Sequence, residues 1–77
     1  MNSQHRAIRA LISSMGPRRA ENDIRAFDLR DDEILFIVER EAKNRSIVEI
    51  ARAYNVSVET VKRRRKDGFR KISDQIS

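Results

Sequence analysis

A chain of 77 residues supports one small domain with a marginal core, so each apolar stripe must find cover on the chain itself or on a partner. It has no cysteine, which leaves neither a disulfide framework nor a thiolate metal site, and the single His5 cannot build a zinc site alone. The formal net charge of +5 is unevenly spread: residues 21 to 49 hold nine acids against five bases, whereas residues 57 to 71 hold seven bases against two acids. Such segregation fits a protein that neutralises phosphates, although a basic helix also suits an anionic lipid surface. The longest apolar run, Ile34 to Val38, falls far short of the roughly 18 residues of a membrane span, and no signal-peptide pattern follows Met1. The expectation is a soluble, cytoplasmic protein.

In chain order, Ile8, Leu11, Ile12 and Met15 recur at helical spacing and predict an amphipathic helix over residues 4 to 15, terminated by Gly16-Pro17. Its narrow stripe either packs back on the domain or forms a dimer seam. Residues 18 to 28 read as a short turn of helix or an ordered linker. Ile24 and Phe27 are one turn apart there, but Asn22, Asp23 and Asp28 favour caps and turns. From Asp31 to Lys43, the apolar residues Ile34, Leu35, Val38 and Ala42 keep the 3.6 period, with acids at the start and Lys43 at the end. Phe36 lies off this stripe and is expected to make a satellite contact, and Asp31-Asp32-Glu33 reads as a helix-start charge set.

Ser46-Ile47-Val48-Glu49 is a capping box opening a helix to Tyr54, with Ile47, Ile50, Ala51 and Tyr54 on one face. Tyr54 is expected in the core with its hydroxyl at the surface. Asn55 tolerates the left-handed conformation of a sharp turn. Ser57 caps the next helix, predicted over 57 to 72, and Val56 and Val61 are spaced for a hydrophobic staple. Two helices joined by about three residues, with small Ala51 at the crossing, predict a helix-turn-helix. The fold class is therefore all-α. Its parts are an amino-terminal helix in residues 1 to 17, a linker or short helix in 18 to 28, and a helix-turn-helix domain in 29 to 77. The expected core comprises Ile34, Leu35, Val38, Ile47, Ile50, Ala51, Tyr54, Val61, Phe69 and Ile72.

The stretch SIVEIARAYNVSVETVKRRRKDGFRKI resembles the fourth conserved region of bacterial sigma factors, which is also similar to the LuxR-type response-regulator domain. The likeness extends upstream through LRDDEILFIVEREAKNRS, with Leu29, Glu33 and Ile34 where the family opens its first helix, and covers about residues 29 to 72. It implies that the second helix of the motif lies in the major groove and reads promoter bases with its early exposed residues. Glu59, Lys62 and Arg63 then occupy reading or phosphate-contacting positions, and Glu59 matches the family's usual glutamate. The chain departs from the pattern at Arg30, where a capping Ser or Thr is frequent, at Asn55, which replaces a turn glycine, and at Arg65, where many members have an apolar residue.

On a helical wheel, Val58, Val61, Gly68, Phe69 and Ile72 share one face, while Glu59, Arg63, Lys66 and Arg70 line the opposite one and Lys62 is lateral. Arginine suits bidentate contact with guanine O6 and N7, and a glutamate can accept from a cytosine amine. The blander reading is a solvated helix face, but the run begins within a turn of a helix-turn-helix entry. Candidate DNA-binding residues are Ser57, Glu59, Thr60, Lys62, Arg63, Arg64, Lys66 and Arg70. Arg65 faces inward, where an unpaired charge is costly; it snorkels past the core edge, pairs with an acid such as Glu39, or marks a helix bend, and snorkelling is the expectation.

No constellation supports catalysis: Ser13 and Ser14 lack a base, and no glycine-rich phosphate loop is present. No cofactor or metal is expected. The expected function is sequence-specific binding of double-stranded DNA by a small transcription regulator of phage or mobile-element type, since polymerase-binding regions of a complete sigma factor are not found. The alternatives are a DNA-packaging subunit resembling a small terminase, which forms a homodimer or higher oligomer through the amino-terminal helix, and an adaptor that binds RNA polymerase.

Overall fold

The computed structural model describes residues 3–76, with side chains from His5 onward. Five α-helices, α1 (Ser3–Ser13), α2 (Pro17–Ile24), α3 (Asp31–Ile37), α4 (Ile47–Ala53) and α5 (Val58–Ile76), are interrupted by one π-helical turn, Val38–Ala42, that continues α3. The described residues contain no strand.

The segment after Gly16 is a helix rather than a linker. Pro17 sits at its first position, where the missing N–H costs nothing, and Ala20 and Ile24 are buried. The Asn and Asp residues that argued against helix face outward, so their weak propensity is overridden by the two apolar anchors. Gly16 thus serves as N-cap of α2, and α1 ends at Ser13 rather than at residue 15.

The continuous helix expected over 31 to 43 is α-helical only to Ile37. Its last turn is wider: the Lys43 N–H returns to the Val38 carbonyl at 3.0 Å and the Arg45 N–H to the Glu39 carbonyl at 3.1 Å, and Asn44 then closes the segment at φ 58°. This element is packed by α5 along α3 and by α1, α2 and α4 around the π turn. A helix surrounded in this way buries more than one stripe. Ile34, Ile37 and Val38 join Ile12, Ala20, Ile24, Phe69 and Ile72 in one cluster, while Phe36 joins Ile50, Ala51 and Val61 in a second. Phe36 is therefore a core residue, only 3% exposed, and not a satellite; Ile37, absent from the expected core, is wholly buried. Leu35 and Ile47 are only partly buried against the second cluster. Of the α1 stripe, Ile12 is buried and Ile8 and Met15 pack beside it, but Leu11 is 60% exposed.

α5 runs four residues beyond its expected end because Ile72 and Ser73 remain buried and Gln75 stitches it to the loop before α3. The Gln75 side-chain carbonyl accepts from the Asp28 N–H at 3.0 Å. The helix passes through Gly68 without ending. A Cβ at this position would lie 2.6 Å from Ile37 Cδ1 and 3.4 Å from Glu33 Cβ, so the glycine lets α5 approach α3 closely.

Gly68→Ala should destabilise by about 1 to 3 kcal/mol through overpacking, despite a helix-propensity gain of about 1 kcal/mol. In an Ile37→Val background, which removes Cδ1, the same change should turn neutral or stabilising; equal effects in both backgrounds by denaturant unfolding would contradict the contact. Ile12→Ala should cost about 2 to 5 kcal/mol, whereas Leu11→Ala should stay within about 0.5 kcal/mol, and equal losses would mean that the helix is rotated from the orientation described.

Candidate nucleic-acid interface

The corner between α4 and α5 is built from local devices. Ser46 accepts the Glu49 N–H at 3.1 Å and the Glu49 carboxylate accepts the Ser46 N–H at 3.0 Å, completing the capping box read from sequence. The backbone and side-chain hydrogen bonds with Ser46 hold the Glu49 carboxyl below its ordinary pKa. Asn55 adopts φ 56°, the left-handed conformation expected of it. Ser57 Oγ accepts the Thr60 N–H at 3.1 Å and lies 2.8 Å from Thr60 Oγ1, and Val56 packs against the cluster that contains Val61. Each end of the turn is therefore fixed by its own residues.

A buried carboxylate braces the turn from behind. Glu39 is fully buried and receives the Tyr54 hydroxyl at 2.9 Å, Arg45 Nη1 at 2.9 Å and Lys43 Nζ at 2.7 Å. Burial by itself would raise the Glu39 pKa, but the hydrogen bonds from Lys43 and Tyr54 and the charges of Lys43 and Arg45 outweigh it and hold the carboxyl below its ordinary value. The bond to Glu39 in turn pushes the Tyr54 phenol up. Tyr54 thus reverses the expected arrangement: its hydroxyl points inward to Glu39, and its ring, packed edge-on against Phe36 at 5.9 Å, leaves the residue 38% exposed.

Along α5 the cations divide by direction. Glu59, Lys62, Arg63, Lys66 and Arg70 are exposed, and among the described residues no ion pair involves Lys62, Arg63 or Lys66. Arg70 lies 3.7 Å from Asp67 one turn back. The other three turn towards α3 and its π turn. Arg64 Nε is 3.1 Å from Asp32, Lys71 Nζ lies 2.9 Å and 3.0 Å from the two oxygens of buried Glu33, and Arg65 pairs with buried Glu41. Arg65 does not snorkel, and α5 continues through it without a break. Its guanidinium carbon also stands 5.7 Å from the Phe69 ring centroid, and the acid it finds is Glu41 rather than Glu39.

The expected DNA-binding residues are consequently brought together at the start and along the outer line of α5, with Arg64 set aside against Asp32. Sequence reasoning offers Glu39 as an acid for Arg65 and misses Glu41. Glu41 stands seven residues after Ile34 and three after Val38, on the apolar stripe itself. An acid on one inward face opposite an arginine on another is a pairing signal. Arg30 contributes differently from the Ser or Thr it replaces: a guanidinium has no acceptor for an amide. Its own N–H instead donates to Glu33 at 2.8 Å, and its side chain pairs with Asp32 at 3.2 Å.

The lowered Glu39 pKa has a pH signature. A carboxyl held below its ordinary 4.5 stabilises the fold fully above that value and loses this contribution as pH falls through the folded pKa. Glu39→Gln should cost about 1 to 3 kcal/mol near neutrality, and its unfolding free energy should converge on the wild-type curve in acid. Parallel curves from pH 7 down to 3 would show that the carboxylate charge plays no part.

Comparison with known proteins agrees with this geometry. Residues 28–74 match the family model of sigma-70, region 4. No curated protein and no solved structure matches the chain. No helix among the described residues is long and apolar enough to cross a membrane. With more than half of its length matched, and with the helix-turn-helix in place, the chain belongs to the sigma-70 region 4 family of DNA-binding domains.

Proposed function

We propose that the protein is a transcription regulator that binds double-stranded DNA in a sequence-specific manner, with α5 lying in the major groove. The observation that carries this reading is the outer line of α5, where Glu59, Lys62, Arg63, Lys66 and Arg70 are exposed on a helix held by capped, braced ends. An acid among cations adds nothing to phosphate affinity, but it contributes to discrimination if it accepts from a base amine. Arg63 is assigned to base contact, because it stands one turn after Glu59 near the helix start. Lys62, Lys66 and Arg70 are assigned to phosphates together with the hydroxyls of Ser57 and Thr60, and Arg64 lies at the edge of that group.

Selection from a random duplex pool at physiological salt should yield a consensus. On the selected site, Arg63→Ala should cost about 1 to 3 kcal/mol and relax preference at one or two base pairs. Lys66→Ala should weaken cognate and random duplexes alike and flatten the salt dependence by about one unit. Identical, uniform losses for both variants would reduce α5 to an electrostatic surface.

A further inference from the structure

Five cations stand consecutively from Lys62 to Lys66, and a run of that charge attracts any phosphate backbone whatever its sequence. Arg65 is the member most fully withdrawn from solvent. Its side chain is 13% exposed and that of its partner Glu41 is 7% exposed. Glu41 is also approached by Arg9 Nε at 3.4 Å and by the Ser13 hydroxyl at 3.5 Å, both from α1. One carboxylate therefore faces two guanidinium groups, and only the one on α5 belongs to the helix with the outward basic line.

Stability alone gives little reason for such a pair. Two buried charges lose much of their attraction to desolvation, and an apolar pair of similar volume is often as stable. We propose that Glu41 is a specificity-determining positioning residue: by holding the Arg65 guanidinium inside, it keeps a sequence-independent cation away from DNA phosphates. The proposal rests on the assignment of α5 as the DNA-reading helix. Without the carboxylate, Arg65 would lose the acid it pairs with while still lying near a second guanidinium. Its long, flexible side chain would then turn out to water and add one phosphate contact to every duplex.

The test measures salt dependence and the ratio of cognate to random-duplex affinity for the full chain, with thermal unfolding of the free protein alongside. Glu41→Gln should raise random-duplex affinity, steepen the salt dependence by about one unit and lower the ratio. Glu41→Gln/Arg65→Met should return both readouts to wild type, because the effect passes through Arg65. An unchanged salt dependence in Glu41→Gln, with only a lowered melting temperature, would overturn the proposal and leave Glu41 a structural residue. Arg65→Met alone, which leaves no uncompensated cation inside, keeps the proposal open to refutation even if Glu41→Gln does not fold. It should leave the salt dependence as in wild type, and a flattening by about one unit would show Arg65 to be a phosphate ligand and overturn the proposal. Failure of the underlying assignment looks different: wild type itself would then bind every duplex equally, and the proposal would fall with it.

Discussion

The structure depends on the burial of three carboxylates along α3 and its π turn. Glu33, Glu39 and Glu41 are each almost wholly removed from water, and an isolated charge in that position costs several kcal/mol. Each must therefore be met by cations, and these come from the segment after the π turn, from α5 and from α1. Glu39 draws on Lys43, Arg45 and the Tyr54 hydroxyl, whereas Glu33 takes Lys71 and Glu41 takes Arg65 and Arg9. Glu39 and Glu41 are two residues apart, which on a helix means opposite sides. One braces the turn before α5, and the other fastens α5 to α1.

This arrangement links the fold to DNA recognition. Base readout requires a helix held in one orientation, since a bidentate contact fails if the side chain is misplaced. Orientation here comes from apolar packing of Val61, Phe69 and Ile72, from the close approach at Gly68, and from ion pairs along the inner face. The same pairs remove charge from that face. What remains outward between Glu59 and Arg70 is a narrow line of cations with Glu59 at its start.

Much of the helix-turn-helix was legible because its signals are local. The Ser46 and Glu49 box, Asn55 in the turn and Ser57 at the next cap each act within a few residues, and each takes the expected geometry. The outward positions of α5 followed from its period alone. What was not legible depends on neighbours distant in sequence. Phe36 is buried because α4 covers a second side of the central helix, which a single-stripe pattern cannot express. α2 forms because Ala20 and Ile24 find a core that its polar residues give no hint of. Tyr54 turns inward to a carboxylate 15 residues earlier, and Arg65 meets an acid 24 residues earlier. Both pairings needed two inward-facing polar groups to be considered together rather than one at a time.

The division of the α5 cations is observed directly by the arginine Nε–H signals of the free and DNA-bound protein. The Arg65 signal should exchange slowly with water in the free protein, and it should keep its shift when duplex is added. Arg63 should exchange fast when free and shift on binding. An Arg65 signal that exchanges as fast as that of Arg63, or that moves with it on titration with DNA, would contradict the claim that buried carboxylates hold one set of cations inside and leave the other for DNA.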